Sequence, residues 1–88
     1  MSPDFPTRLA RARFRAWHRG TREADYTIGG FYDRYHAGWN GDDLAWFEAL
    51  LEEEDADILA WAMGASSPPA KYDGRLLDAL KKLDFVTI

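Results

Sequence analysis

Three residues that lie close together, Arg19, Gly20 and Glu23, have side chains suited to recognising another polypeptide. Arginine presents a rigid fork of hydrogen-bond donors that matches a carboxylate or a backbone carbonyl. Glycine has no Cβ atom, so a foreign backbone can approach it closely and its own φ can be positive. Glu23 could orient Arg19 or accept a hydrogen bond from a partner. The spacing R-G-x-x-E therefore indicates a candidate protein-binding corner.

The same residues also have a purely structural explanation. Gly20 can end one helix, which would place Arg19 at that helix's C-terminus and Glu23 in the first turn of the next helix. Each charge is favoured there by ~0.3–1 kcal/mol through the helix dipole. Because R-G-x-x-E is short and unspecific, spacing alone favours this structural explanation.

The elements that must position this corner are predicted from helical periodicity. A first helix is expected between Pro6 and Gly20 and has two faces. One face is an apolar stripe, Ala10, Phe14 and Trp17; the other is a row of arginines, Arg8, Arg11, Arg15 and Arg19.

Four more helices are predicted to follow, with Thr21, Asn40 or Asp42, and Asp55 as helix caps and Gly64 as a helix end. Their apolar positions are Ala24, Ile28, Phe31 and Tyr35; Leu44, Phe47, Leu50 and Leu51; Ile58, Trp61 and Ala62; and Tyr72, Leu76, Leu80 and Leu83. We therefore expect an all-α fold, a compact single-domain bundle of about five short helices over residues 1–88. Residues 84–88 either pack on this bundle or form a flexible tail.

The adjacent glycines Gly29 and Gly30 conflict with the second helix. Each would destabilise a helix interior by roughly 1 kcal/mol relative to alanine. A kink or a close helix contact at this point would explain the pair.

Composition excludes several classes of protein. A chain that is 47% hydrophobic is too apolar to be disordered, and without cysteine it has no disulfide or thiolate nucleophile. It also lacks a nucleophile elbow, a glycine-rich phosphate loop and metal-ligand spacing around His36, so we predict neither an enzyme nor a metal site. The N-terminus has no apolar signal region and the longest uncharged stretch, 58–70, is too short to cross a bilayer. The prediction is a cytoplasmic protein without membrane insertion.

The net charge of −4 hides an uneven distribution along the chain. Residues 1–22 carry +5, residues 23–59 carry −10 and residues 60–88 carry +1. Such a distribution suits docking on another protein in a fixed orientation. The basic first segment also suggests an alternative, a small nucleic-acid-binding or toxin–antitoxin regulatory protein. The acidic middle segment would repel phosphates, so we predict no nucleic-acid partner.

Longer stretches around the corner resemble one protein family. The segment "RFRAWHRGTREAD" resembles the RGxxE signature of the SdhE family of succinate dehydrogenase assembly factors, in its alphaproteobacterial form. The segments "FYDRYHAGW" and "FEALLEEEDADILAWAMG" are similar to the family's second-helix aromatic segment and to its "FxxLLExxDPDLxxWl" stretch. The resemblance is strongest over residues 11–64. Ala56 stands where members usually have proline, which makes the boundary between the third and fourth helices less certain.

This resemblance implies a function. Members of the family bind the flavoprotein subunit of succinate dehydrogenase, and in some bacteria of fumarate reductase. They promote covalent attachment of FAD to a histidine of that subunit and have no known catalysis or cofactor of their own. The chain would then be a chaperone, monomeric when free, whose partner carries the FAD.

The resemblance also implies a binding patch built on Arg19, Gly20 and Glu23, with His18 either in the patch or only capping the helix end. For some neighbours a structural role is equally open, as solubilising, capping or core residues. The residues that could extend the patch are Arg11, Arg15, Arg22, Asp25, Phe31 and Tyr32.

Overall fold

A computed structural model describes residues 4–85, which form five α-helices and two short 3-10 turns. This confirms the predicted all-α fold. The helices are α1 (Phe5–Trp17), α2 (Arg22–Tyr35), α3 (Gly41–Leu50), α4 (Asp55–Met63) and α5 (Arg75–Lys82). The 3-10 turns are His36–Gly38, after α2, and Ala70–Tyr72, before α5. Of the predicted tail, residues 86–88 lie outside the described residues.

Side chains that accept backbone N–H groups define the starts of three helices. Asp4 accepts from the backbone of Thr7 at 2.9 Å, and Thr21 accepts from Ala24 at 3.2 Å. At the start of α3, Asn40 and Asp43 each accept the other's backbone N–H, which is a capping box. Local sequence is sufficient for these caps, and the predictions for Thr21 and Asn40 are confirmed.

Two predicted boundaries were wrong. The N-cap of α4 is Glu54, without a side-chain cap, and Asp55 is the first helical residue. The carboxylate of Asp55 is used elsewhere, as a partner of Arg19. Tyr72 lies in the second 3-10 turn and α5 begins at Arg75, because Gly74, with φ +137°, separates the two elements. Gly64 ends α4 as predicted, with φ +76°.

The centre of the core is a cluster of aromatic rings around Phe31. This ring lies 5.9 Å from both Trp39 and Phe47 and 5.4 Å from Phe85, centroid to centroid. Tyr32 is buried beside it and donates its hydroxyl to the carbonyl of Leu9 at 3.1 Å. The prediction that Phe31 and Tyr32 could extend a partner surface is therefore wrong. Both are core residues, buried because their rings pack against Phe47 of α3.

The two buried residues of α1 are both alanines. Ala12 and Ala16 are buried, and their small side chains let α1 lie close to α2 and α3. The apolar stripe of Ala10, Phe14 and Trp17 does not form the buried face: Ala10 and Phe14 are exposed and Trp17 is half-buried. As a result, Phe14 and part of Trp17 lie on the surface of the domain.

Both glycines of the unusual pair make close contacts. A Cβ atom at Gly29 would overlap the indole ring of Trp17, and one at Gly30 would lie 3.0 Å from the carbonyl oxygen of Phe85. The expectation of a close contact is confirmed. The indole of Trp17 lies against α2 at Gly29, and its Nε1 donates to Asp33 Oδ1 at 3.3 Å.

Gly29→Ala should lower the free energy of unfolding by about 1–3 kcal/mol, because the new methyl group would overlap the Trp17 ring. In a domain of this size that corresponds to a fall in Tm of roughly 4 °C or more in thermal unfolding. Gly41→Ala is the matched control, since a Cβ there meets nothing within 4 Å. An equal Tm for the two variants would show that Trp17 does not need the glycine.

Candidate functional site

The turn between α1 and α2 places the R-G-x-x-E residues at one end of the domain. Gly20 has φ +114°, which confirms the predicted positive φ and allows the chain to reverse between the helices. Gly20 is exposed, and a Cβ atom on it would meet nothing within 4 Å. The carboxylate of Asp25 accepts the backbone N–H of Arg19 at 2.6 Å. Asp25 therefore fixes the turn from within, and it is half-buried.

The guanidinium of Arg19 is occupied inside the domain. Its Nε donates to Asp55 Oδ1 at 2.7 Å, its Nη1 to the carbonyl of Leu51 at 2.6 Å and its Nη2 to the carbonyl of Glu53 at 2.8 Å. The side chain is only 10% exposed. The expectation of an exposed fork is wrong, because the carbonyls that end α3 need donors and Arg19 supplies them. Arg19 ties the α1–α2 turn to the α3–α4 turn.

Arg19 is the last of three arginines of α1 and its turn that pair with acids of α3, the α3–α4 turn and α4. Arg8 pairs with Glu48 at 2.6 Å and Arg15 pairs with Glu52. These contacts join the basic segment to the acidic one within the molecule, so part of the charge separation is neutralised by folding. Arg15 is still half-exposed at 44% and can reach the rim of a partner.

The remaining residues of the motif are on the surface. Glu23 is exposed, and its side chain makes no hydrogen bond or ion pair to any residue between Asp4 and Phe85. The hypothesis that Glu23 orients Arg19 is therefore wrong, since Asp55 and Asp25 do this. Arg22 is also exposed. Gly20, Arg22 and Glu23 form the accessible part of the corner.

His18 caps the end of α1, which is one of the two roles that the sequence left open. Its ring lies against Phe14, with centroids 4.0 Å apart and planes at 15°, and its Nδ1 is 2.7 Å from the carbonyl of Phe14. This is local capping of the helix end. The ring is nevertheless exposed, so it extends the accessible corner toward α1.

Phe14 is the surface residue that motif analysis missed. It is 63% exposed and lies next to His18. One signal in the sequence could have identified it. The first helix carries two apolar stripes, one through Ala12 and Ala16 and one through Phe14 and Trp17, and only one of them can face the core.

A buried tyrosine supports the acidic turn that receives Arg19. Tyr72 donates its hydroxyl to Glu53 Oε2, 2.6 Å away. Burial, and next the hydrogen bond to the Glu53 carboxylate, raise the pKa of Tyr72 above its ordinary value, so the phenol stays protonated and remains a donor. The α3–α4 turn is thus held from one side by Arg19 and from the other by Tyr72.

The described part of the chain offers no metal site and no membrane span. Between residues 4 and 85, no group of three or more His, Cys, Asp or Glu side chains could hold a metal ion. His36 has its Nδ1 2.8 Å from the carbonyl of Tyr32 and stacks on that ring, which is a local role. No helix over the same residues is long and apolar enough to cross a membrane.

Gly20→Ala should destabilise the domain by about 1–2 kcal/mol, because φ +114° is unfavourable for an L-residue with a side chain. The new methyl group would meet no neighbour, so the loss arises from backbone strain alone. Thermal unfolding measures this loss, and Gly38→Ala is the control, at a glycine with equal free space but no positive φ. A native Tm for Gly20→Ala would show that the turn does not need glycine for its conformation.

Comparison with known proteins identifies a family. A family model described as "Flavinator of succinate dehydrogenase" (Sdh5) matches residues 10–84. The chain is 31% identical over 86 residues to succinate dehydrogenase assembly factor 2-B, mitochondrial, of Drosophila willistoni, covering 93% of this chain and 55% of that protein. It is 39% identical over 61 residues to the FAD assembly factor SdhE of Acetobacter pasteurianus, covering 69% of this chain and 56% of that protein.

The chain spans about half the length of the curated relatives it matches. The family model nevertheless covers the turn between α1 and α2, all five helices except the first residues of α1, and the acidic segment that binds Arg19. This confirms the resemblance to SdhE. The chain belongs to the Sdh5 family, the flavinators of succinate dehydrogenase.

Proposed function

We propose that this chain binds the flavoprotein subunit of succinate dehydrogenase and promotes covalent attachment of FAD to a histidine of that subunit. The flavoprotein of fumarate reductase is the alternative partner of the same kind. Membership of the flavinator family supports the proposal, and so do the relatives named as succinate dehydrogenase and FAD assembly factors. The FAD belongs to the partner, and the chain acts as a chaperone without catalysis of its own.

One structural observation carries the proposal: the α1–α2 turn is held by hydrogen bonds within the domain and is also accessible. Arg19 and Asp25 fix the turn from inside the domain, while Gly20, Glu23 and His18 are exposed. A surface that is already ordered loses little conformational entropy when it binds, so more of the contact free energy remains for affinity. The absence of a Cβ at Gly20 leaves room for the backbone of the partner.

Binding alone could promote the attachment. A covalent bond between FAD and a histidine requires the two reacting groups to be held close together and aligned. A chaperone that restrains the flavoprotein around its flavin site would raise the population of this alignment. In this mechanism the chain acts only by positioning the partner and takes no part in the chemical step. The cytoplasmic location and the monomeric state of the free chain remain predictions from the sequence.

The proposal is tested by titrating the purified chain into the purified flavoprotein subunit, with and without FAD, and measuring the dissociation constant by calorimetry. We expect a 1:1 complex. As a control, the chain is mixed with FAD alone, and its absorption spectrum should show no tightly bound flavin. The proposal would be contradicted if the chain bound neither the flavoprotein of succinate dehydrogenase nor that of fumarate reductase. Tight binding of FAD to the free chain would also contradict it.

A further inference from the structure

The outer face of α1 forms a second accessible surface beside the corner. Ala10, Arg13, Phe14, Trp17 and His18 line one shallow depression of about 370 Å³, which we call the α1 ledge. Four of these residues are spaced at i, i+3, i+4 and i+7, so they share one side of the helix. His18 belongs to both the ledge and the corner, which makes the two surfaces continuous.

Aromatic rings make up much of the ledge. Phe14 is 63% exposed, and Trp17 contacts Tyr26, itself 47% exposed, edge to face at 6.1 Å. Scattered exposed apolar residues are ordinary, but a contiguous aromatic patch marks an interaction site. Aromatic residues and arginine are also the types that contribute most to binding at protein interfaces.

The arginine of the ledge, unpaired among the described residues, indicates what kind of partner group would bind there. Arg8, Arg15 and Arg19 are paired with acids of the domain, whereas Arg13, on the ledge, forms no ion pair with any residue from 4 to 85. Arg13 is exposed, so its guanidinium is available for a carboxylate. A partner surface that matches the ledge would therefore present an apolar side chain with an acidic side chain close to it.

We infer that the α1 ledge is a second contact for the same flavoprotein, and that it receives an apolar side chain of that protein flanked by an aspartate or glutamate. The inference rests on the proposed function. The apolar side chain would pack between Phe14 and Trp17, and the carboxylate would pair with Arg13. Because the ledge and the corner are continuous through His18, one partner surface can cover both.

The first test compares dissociation constants for the flavoprotein subunit. Phe14→Ala and Arg13→Glu should each weaken binding by about tenfold or more, the loss expected of an interface hot spot. Phe14 is mostly exposed, so its replacement should leave the Tm unchanged. The controls make the same changes elsewhere: Met63→Ala removes another side chain that is 67% exposed, and Lys81→Glu reverses an exposed charge on α5. Both controls should bind as the unaltered chain does.

The second test identifies the carboxylate. The variant Arg13→Lys places an amine on the ledge, and a carbodiimide then joins amines to neighbouring carboxylates without a spacer. Mass spectrometry of the treated complex should find position 13 joined to an aspartate or glutamate of the flavoprotein. The chain's own exposed lysines, Lys71, Lys81 and Lys82, are internal controls and should not form this cross-link.

The outcomes separate this inference from the proposed function. If Phe14→Ala and Arg13→Glu bind normally while replacement of Glu23 weakens binding, the inference is overturned and the proposed function stands. If the unaltered chain does not bind the flavoprotein, the proposed function fails and the ledge has no such partner.

Two further results would assign the ledge to another partner. If light scattering shows self-association and Phe14→Ala abolishes it, the ledge binds a second copy of the chain and the inference is overturned. Duplex binding that Arg13→Glu abolishes would assign it to nucleic acid, with the same consequence.

Discussion

Replacing Arg19 by lysine should lower the free energy of unfolding by about 2–3 kcal/mol, the loss expected when a mostly buried charged donor leaves several acceptors unpaired. The guanidinium now reaches three acceptors in different directions, Asp55 and the carbonyls of Leu51 and Glu53. The single ammonium of lysine cannot reach all of them. For a domain whose total stability is about 5 kcal/mol, this loss is large. Chemical denaturation followed by tryptophan fluorescence measures it.

Arg15→Lys is the matched control for this effect. Arg15 lies one helical turn earlier and pairs with Glu52, but both side chains are well exposed, at 44% and 72%. An exposed ion pair contributes about 0–1 kcal/mol, so this variant should be nearly as stable as the unaltered chain. Similar stabilities for Arg19→Lys and Arg15→Lys would contradict the structural role of Arg19. If the role is correct, Arg19→Lys also reduces flavin attachment, because the turn is no longer held in place.

Glu23→Gln should reduce the affinity for the flavoprotein by about tenfold or more, as loss of a charged contact at a binding interface does, with little effect on folding. Glu23 is exposed and forms no ion pair with any residue of the described domain. Removing its charge from the first turn of α2 should lower the free energy of unfolding by at most about 1 kcal/mol, because the charge interacts with the helix dipole. Glu23→Gln should therefore lower the affinity while leaving the stability almost unchanged, whereas Arg19→Lys should lower the stability.

Asp78→Asn controls for the loss of one acidic charge in a helix's first turn, since Asp78 is exposed in the first turn of α5. It should bind the flavoprotein normally and have a similar Tm to Glu23→Gln. Native affinity for Glu23→Gln would remove Glu23 from the binding site and leave Gly20, Arg22 and His18 as the exposed residues of the motif region.

Features determined by neighbouring residues could be predicted from the sequence. The caps at Thr21 and Asn40, the positive φ of Gly20 and the helix end at Gly64 all depend on residues within one or two turns. The close contact at Gly29 was also predictable in kind, because two glycines inside an otherwise regular helix require a reason. The partner of Gly29, the ring of Trp17, was not.

Features that depend on distant residues could not be predicted. The three acceptors of Arg19 are 32 to 36 positions further along the chain, and nothing in R-G-x-x-E indicates that α3 ends opposite it. The orientation of α1 was missed for the same reason. Its alanines face inward because α2 and α3 approach closely there, and this places Phe14 on the surface. The motif therefore combines a structural arginine with an accessible glycine and acid.

The most direct test of the central claim is covalent flavin in the partner. The flavoprotein subunit of succinate dehydrogenase from the same organism is produced with and without this chain, and flavin fluorescence is measured in a denaturing gel, where only covalently attached flavin remains. The proposed function predicts strong fluorescence with the unaltered chain, weak fluorescence without it, and weak fluorescence with Glu23→Gln. Equal fluorescence with and without the chain would contradict it.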